Sequence, residues 1–432
     1  MMQRGVLHLK AFDARVPKGW TSFPVIEKKG GVLRCWRCSC MKRSAIVYVK
    51  QARQQPYYYC RECVMIGSAR STQKFIWRSL PKLKVAMVPL REVSILTEKQ
   101  RQISSEVVET LRLKQSFHYV WAVTGAGKTA MLFAAMQQVI AQGQYVAFVS
   151  PRREACKAVS EQVTQVFTTV PHVVLHQKSG AVYQGEQLVI GTVQQLLRFH
   201  RSFKLLIVDE ADAFPYSRNE SLHYGVKQAL TSDGLLVYLS ATPSAKRQKQ
   251  LRRGCYRSSE LHRRYHGKDM LVPREVLVLN WYEKIATGRL PQKVSRWLTR
   301  VVSERQTLIF VPEIKQVDLV VSAVQAQLSV RVAGVSAKNG QREQHISAFK
   351  EGEITVLVTT LVLERGVNFP NVNVAIIGAE HRQFNRATLL QISGRVGRNP
   401  LYQEGEIVFF HGGMTKALRQ ALATVKHLNR EV

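Results

Sequence analysis

Short, nearly unbroken apolar runs recur along the chain, each closing on a glycine or polar turn. HYVWAV (118–123), YVAFVS (145–150), QLVI (187–190), LLIV (205–208) and LLVYL (235–239) form one series. TLIFV (307–311), SVRVAGV (329–335), ITVLVTT (354–360) and VNVAIIGA (372–379) form a second, separated by helical stretches such as 313–327. Apolar runs of this length, with no polar alternation, are the pattern of strands buried on both faces. Strands alternating with helices predict parallel α/β layers, here two of them. Ahead of both series, IVYVK (46–50) and PYYY (56–59) read as strands of a much smaller module.

The turns carry the chemistry. After the run at 118–123 comes TGAGKTAM, with Gly125 and Gly127 flanking Ala126. Glycines there let backbone N–H groups approach phosphate oxygens, and the helix that follows adds its positive end. Lys128 is placed for the β- and γ-phosphates of ATP, and the Thr129 hydroxyl for Mg2+. Ala122 stands where such loops usually begin with glycine. The strand 205–208 ends in Asp209-Glu210-Ala211-Asp212. A carboxylate at a strand tip holds Mg2+ and its neighbour activates water, so Asp209 is assigned to the metal and Glu210 to general-base work.

A DEAD sequence paired with GAGKT resembles the superfamily 2 helicases, and the remaining motifs of that superfamily follow in order. Ser150-Pro151-Arg152, Gly191-Thr192 and Ser240-Ala241-Thr242 each close a strand of the first series. Thr359-Thr360 with Glu364-Arg365-Gly366-Val367 matches motif V, and Gln391-x-x-Gly394-Arg395-x-Gly397-Arg398 matches motif VI. By that resemblance Arg395 and Arg398 meet the γ-phosphate, while Gly366 and Gln391 belong to the nucleotide site. Leu96-Thr97-x-x-Gln100 resembles an adenine-reading element, with an ordinary exposed helix residue as the other reading of Gln100. The expected fold is therefore α/β: two tandem RecA-like domains, the superfamily 2 helicase core, preceded by a small four-cysteine zinc-binding module. Boundaries are expected at 1–90 (module about 33–66), 91–268 and 269–432.

Charge changes the picture next. With 63 Lys and Arg against 30 Asp and Glu, the 432-residue chain carries +33, which suits a polyanion. Residues 1–90 hold 18 of those bases and only 3 acids. A second cluster, 246–268, has nine bases, one acid, and Tyr256 and Tyr265 among them, a composition that suits a single strand. No apolar core of signal-peptide length stands near the N-terminus and no run of eighteen apolar residues occurs, so a cytoplasmic protein without a transmembrane segment is expected.

Five of the seven cysteines fall within residues 35–63. Cys35-x-x-Cys38 and Cys60-x-x-Cys63 make two knuckles that supply four thiolates to a tetrahedral Zn2+. Redox chemistry at one C-x-x-C leaves the second pair unexplained. Cys40 competes with Cys38 as a ligand. Isolated Cys156 and Cys255 are expected as buried apolar thiols.

Taken in order, the cysteine module, WAVTGAGKT, DEADAFP, LHRRYHG, TTLVLERGVNFP and LLQISGRVGR resemble the ComFA family of competence ATPases over about residues 30–415. That resemblance implies an ATPase stimulated by single-stranded DNA that helps bring transforming DNA into the cytosol. It implies location at the inner face of the membrane, beside the DNA channel, with ComFC-like and DprA-like partner proteins. The basic N-terminal region then grips DNA or lies on anionic lipid. The rival reading is a duplex-unwinding helicase similar to PriA or RecG.

Overall fold

In a computed structural model, residues 2–430 are described, except 53–54, 92–94, 265–266, 268, 338–339, 364–368, 370, 398–401 and 403. The chain forms two compact units. The first comprises residues 1–121 and 128–260, the second 122–127 and 261–432.

The first unit is built on a seven-stranded sheet. Its order is His172–Leu175, Leu188–Thr192, Val146–Ser150, Phe203–Val208, Leu230–Ser240, Phe117–Ala122 and Arg257–Leu261. Pairing from the first of these through Phe117–Ala122 is parallel. The strands bury both faces, as their continuous apolar runs require: every residue of Val146–Ser150 and Leu188–Thr192 is buried. Gly191 owes its identity to this packing, because a Cβ there would meet the Leu175 carbonyl oxygen at 2.5 Å.

Residues 1–90 belong to this first unit. His8–Ala11, Gln73–Trp77 and Thr21–Pro24 make a three-stranded antiparallel sheet that sequence patterning did not reveal. It is seated by backbone bonds from Leu7 N to Arg198 O (2.7 Å) and from His200 N to Gly5 O (3.1 Å). The His200 ring packs among Phe23, Trp36 and Trp77, with centroids 4.8–5.2 Å apart, and burial pushes its pKa down to about 4. Two hairpins complete the region: Ile26–Lys29 with Val32–Cys35, and Ile46–Val49 with Tyr57–Cys60.

The second unit holds a six-stranded sheet. Its order is Arg274–Leu277, Ile407–His411, Val372–Ile377, Gln306–Phe310, Val356–Thr359 and Val332–Val335, parallel throughout. The predicted helix at 313–327 is observed as Ile314–Gln327, and its start is fixed by a capping box between Glu313 and Gln316. Cys156 is buried as expected, but Cys255 is exposed: it follows Gly254, whose φ of +66° turns the chain after the helix Ala245–Arg252.

His118 joins three elements of the first unit. Its ring nitrogens bond Thr110 Oγ1 (2.7 Å) and Ser259 Oγ (2.8 Å), and it is 1% exposed. Burial pushes its pKa down to about 4, with Arg257 lowering it further and Glu106 opposing. Because the unfolded chain titrates near 6.5, neutral His118 contributes stability above that pH, and the contribution is lost as pH falls from about 6.5 toward 4. Lowering the pH from about 7.5 to 5 is expected to cost about 2 kcal/mol through this residue. Denaturant titrations of the wild type and His118→Gln check it: the variant should lose correspondingly less over the same interval.

Candidate functional site

Three parallel strands bring the predicted residues of the first unit together. Val146–Ser150 precedes Pro151-Arg152, Phe203–Val208 precedes Asp209-Glu210, and Leu230–Ser240 precedes Ala241-Thr242. Asp209 N bonds Val149 O (2.8 Å) and Ala211 N bonds Leu239 O (3.1 Å), so the strand tips stay in register past their ends. Burial pushes the Asp209 carboxyl up to about 6; Glu210 adds to the rise and nearby Lys128 offsets it. A carboxylate so short of compensation is suited to a divalent cation. Asp209 Oδ1 also accepts from the backbone N of Glu210 (2.8 Å).

Glu210 itself adopts φ +51°, a left-handed conformation that a non-glycine residue takes only where its surroundings hold it. Its Oε2 lies 3.7 Å from Arg152 Nε, tying the candidate base to the turn after the neighbouring strand. Asp212 faces the third tip. Ser240 Oγ donates to its Oδ1 and Thr242 Oγ1 to its Oδ2, both at 2.6 Å, while Thr242 N donates to Ser240 Oγ (3.1 Å). The sequence shows Asp212, Ser240 and Thr242 separately but not that the acid joins the other two.

The phosphate loop has the backbone its glycines predict, with φ +85° at Gly125 and +68° at Gly127. Ala126 N closes a turn onto Val123 O (3.2 Å). Lys128 and Thr129 follow, then a 3-10 turn Ala130–Leu132 and the helix Phe133–Ala141. Gln100 is 3% exposed, not an exposed helix residue: its Oε1 accepts from Thr97 N (2.8 Å) and Thr97 Oγ1 accepts from Gln100 N (3.3 Å). This capping box starts the helix Glu98–Arg112 and holds the Gln100 side chain in place.

In the second unit, Gln391 lies on the helix Arg386–Ser393 and is 4% exposed. Gly394 ends that helix where a Cβ would sit 2.8 Å from Thr124 Cβ. Arg395 is 2% exposed, unlike the solvated arginine that is the ordinary case. Arg264, from the LHRRYHG stretch, donates to Val396 O (2.7 Å) and Gly397 O (2.6 Å), a support for the motif VI turn that the sequence did not suggest. Gly366 and Arg398 lie outside the described residues.

The four predicted cysteines converge. The Sγ atoms of Cys35, Cys38, Cys60 and Cys63 all lie within 4.8 Å of one another, with Cys35–Cys63 at 3.7 Å and Cys38–Cys60 at 3.6 Å. Disulfides need about 2.05 Å, whereas four sulfurs about 2.3 Å from a tetrahedral zinc stand about 3.8 Å apart. The donor set therefore fits Zn2+. Cys40, though buried, is not part of the cluster; its backbone oxygen instead accepts from Cys35 N (2.9 Å) and helps shape the knuckle. Arg37, inside the first knuckle and 5% exposed, was not anticipated. It donates to Cys63 Sγ from Nε (3.4 Å) and Nη2 (3.2 Å), and from Nη2 to Cys63 O and Gly67 O. Hydrogen bonds from Cys35, Cys38 and Cys60, with the Arg37 charge, hold the Cys63 thiol well below its ordinary range.

Comparison with known proteins agrees with this geometry. The ComFA N-terminal domain family matches residues 11–77, the type III restriction enzyme res subunit family 94–245, and the helicase conserved C-terminal domain family 291–400. Competence protein ComFA of Streptococcus pneumoniae is 33% identical over 416 residues, covering 94% of this chain and 93% of its own. The chain belongs to the ComFA family. Bacillus subtilis ComFA is 31% identical over 92% of this chain and 85% of its own. Among solved structures, RecG bound to a three-way DNA junction aligns with TM-score 0.54 at 19% identity, over 78% of this chain and 45% of that one. Mycobacterium smegmatis helicase Lhr bound to ssDNA and AMP-PNP gives 0.54 at 18%, over 77% and 50%. The fold is thus two RecA-like domains of the superfamily 2 type with a four-cysteine cluster near the N-terminus, the fold of an ATP-hydrolysing enzyme.

Metal analysis of the purified ComFA-family chain is expected to find about one zinc per chain. Cys40→Ser should retain it and Cys63→Ser should lose it; inductively coupled plasma mass spectrometry reads both.

Proposed function

We propose that the protein is an ATPase stimulated by single-stranded DNA that drives transforming DNA into the cytosol during natural competence. The observation that supports this best is the bonding of Asp212 to Ser240 and Thr242 beside the Asp209–Glu210 pair, within a chain of the ComFA family. A shift at the nucleotide would be felt at once by the strand tip that carries Thr242.

In this reading the backbone amides of Gly125, Ala126 and Gly127 cradle the phosphates and Lys128 neutralises them. Thr129 and Asp209 hold Mg2+, which when bound draws charge from the β- and γ-phosphates. Glu210, held by its strained backbone and by Arg152, orients the attacking water and accepts its proton. Arg395 and Arg398 offset charge on the γ-phosphate, Gln391 and Gly366 complete the nucleotide site, and Gln100 reads the adenine. Residues 1–90, 91–268 and 269–432 serve as basic zinc-binding region, first motor domain and second motor domain. The zinc cluster holds the N-terminal module in shape.

Among the described residues no helix is long and apolar enough to cross a membrane. We place the protein in the cytoplasm, peripheral to the inner face of the membrane, with the DNA channel and ComFC-like and DprA-like proteins as partners. The RecG-named relatives, such as that of Treponema pallidum at 24% identity, keep duplex unwinding as the alternative activity.

ATP turnover measured with single-stranded, duplex and no DNA tests the proposal. Single strands are expected to stimulate it, and a rate indifferent to DNA would defeat the motor reading. Lys128→Ala and Glu210→Gln should each lower stimulated turnover at least about a hundredfold. Efficient displacement of a forked duplex would favour the RecG-like activity. Affinity for single strands should fall steeply with salt as phosphate counterions are released.

A further inference from the structure

The hairpin Ile46–Val49 and Tyr57–Cys60 starts at the cysteine cluster and carries four tyrosines that the motor does not use. Cross-strand partners Tyr48 and Tyr58 share one face with Ile46 and Cys60, and their ring centroids are 5.0 Å apart. Ile46 and Cys60 are buried, so the face is anchored at its cluster end and open at the other, where Tyr48 is 51% exposed. The opposite face carries Tyr57 and Tyr59, with the Arg70 guanidinium 4.5 Å from the Tyr57 ring centroid. A backbone bond from Ser71 N to Tyr58 O (2.8 Å) and one from Tyr58 N to the Ser71 hydroxyl Oγ (2.9 Å) brace the outer strand.

Charge surrounds these rings. Between Glu27 and Glu62 the sequence has no acidic residue and nine lysines and arginines. Lys42, Arg43, Lys50 and Arg61 are exposed at the two ends of the hairpin, and none forms an ion pair among the described residues. Large solvated rings between unpaired cations match a polymer that alternates π-faces with phosphates. An anionic bilayer presents the charge without the faces, and a protein surface would be met by acids rather than stacked rings.

We infer that this hairpin is a stacking platform for single-stranded nucleic acid, with a base on Tyr48 backed by Tyr58 and phosphates on the flanking cations. It is a grip separate from the motor motifs, and it rests on the proposed action on single strands. Because the hairpin belongs to the first unit, a base held there is held by the same body that carries Lys128 and Asp209.

The test uses the full chain with two probes: an oligothymidylate, and an abasic oligomer of equal length that keeps phosphates but lacks bases. Wild type is expected to prefer the oligothymidylate. Tyr48→Ala/Tyr58→Ala should reduce that preference about tenfold, and Tyr48→Phe/Tyr58→Phe, which keeps both rings, should preserve it. Zinc content and thermal melting report folding, and Tyr48→Ala alone, at an exposed position, gives the same reading should the double variant fail to fold. Unchanged preference in folded alanine variants overturns the inference. Loss of binding to phosphatidylglycerol vesicles with oligothymidylate binding intact also overturns it, in favour of a lipid surface. Failure of the wild type to bind either oligomer is a different result: it removes the single-strand reading itself before any variant is compared.

Discussion

The parallel register of the first sheet is the constraint on which the chemistry depends. Parallel strands present their carboxyl ends on one edge, and that edge is where open α/β sheets place their ligands. Here the hydrogen bonds do not stop at the last strand residue. Asp209 N still reaches Val149 O, and Ala211 N still reaches Leu239 O. Three turns that lie far apart in sequence are therefore pinned side by side, with an acid on the middle one and its hydroxyl partners on the next. A single-residue slip would turn Asp209 away from Lys128 and would part Asp212 from Ser240.

The cysteine cluster works on the opposite principle. Its strands are four residues long and its hairpins two-stranded, too short to be stable alone. Convergent sulfurs stand in place of a core there, and Arg37 donates to the Cys63 sulfur from within the first knuckle. The cluster is nevertheless continuous with the apolar core of the first unit, sharing it with Val193, Leu197 and Tyr216. The sulfur cluster and hydrophobic burial thus meet across one boundary.

Much of this was legible in the sequence because it is local. A glycine loop after an apolar run, acids at a strand tip and paired cysteines each occupy a few consecutive residues, and their chemistry follows from spacing. What could not be read depends on distant partners. The strands His8–Ala11 and Gln73–Trp77 pair across more than sixty residues; the second lacks the alternation that marks a half-buried strand, and the first alternates over only four residues. Arg37 looks like one more surface base until Cys63 and Gly67 are folded over it. Gln100 was read for chemistry or for nothing, and the structure makes it first a helix cap. The reason for a glycine at 191 is equally non-local: the Leu175 carbonyl leaves no space there for a side chain.

The seat of His200 among Phe23, Trp36 and Trp77 has a mechanical consequence. An imidazole wedged between rings from three separate segments leaves no hinge between the N-terminal sheet and the strand layer beneath it. The region before residue 90 cannot swing as a tethered arm that fishes for a partner. Whatever binds there is therefore bound to the first unit as a whole, not to a loose appendage of it.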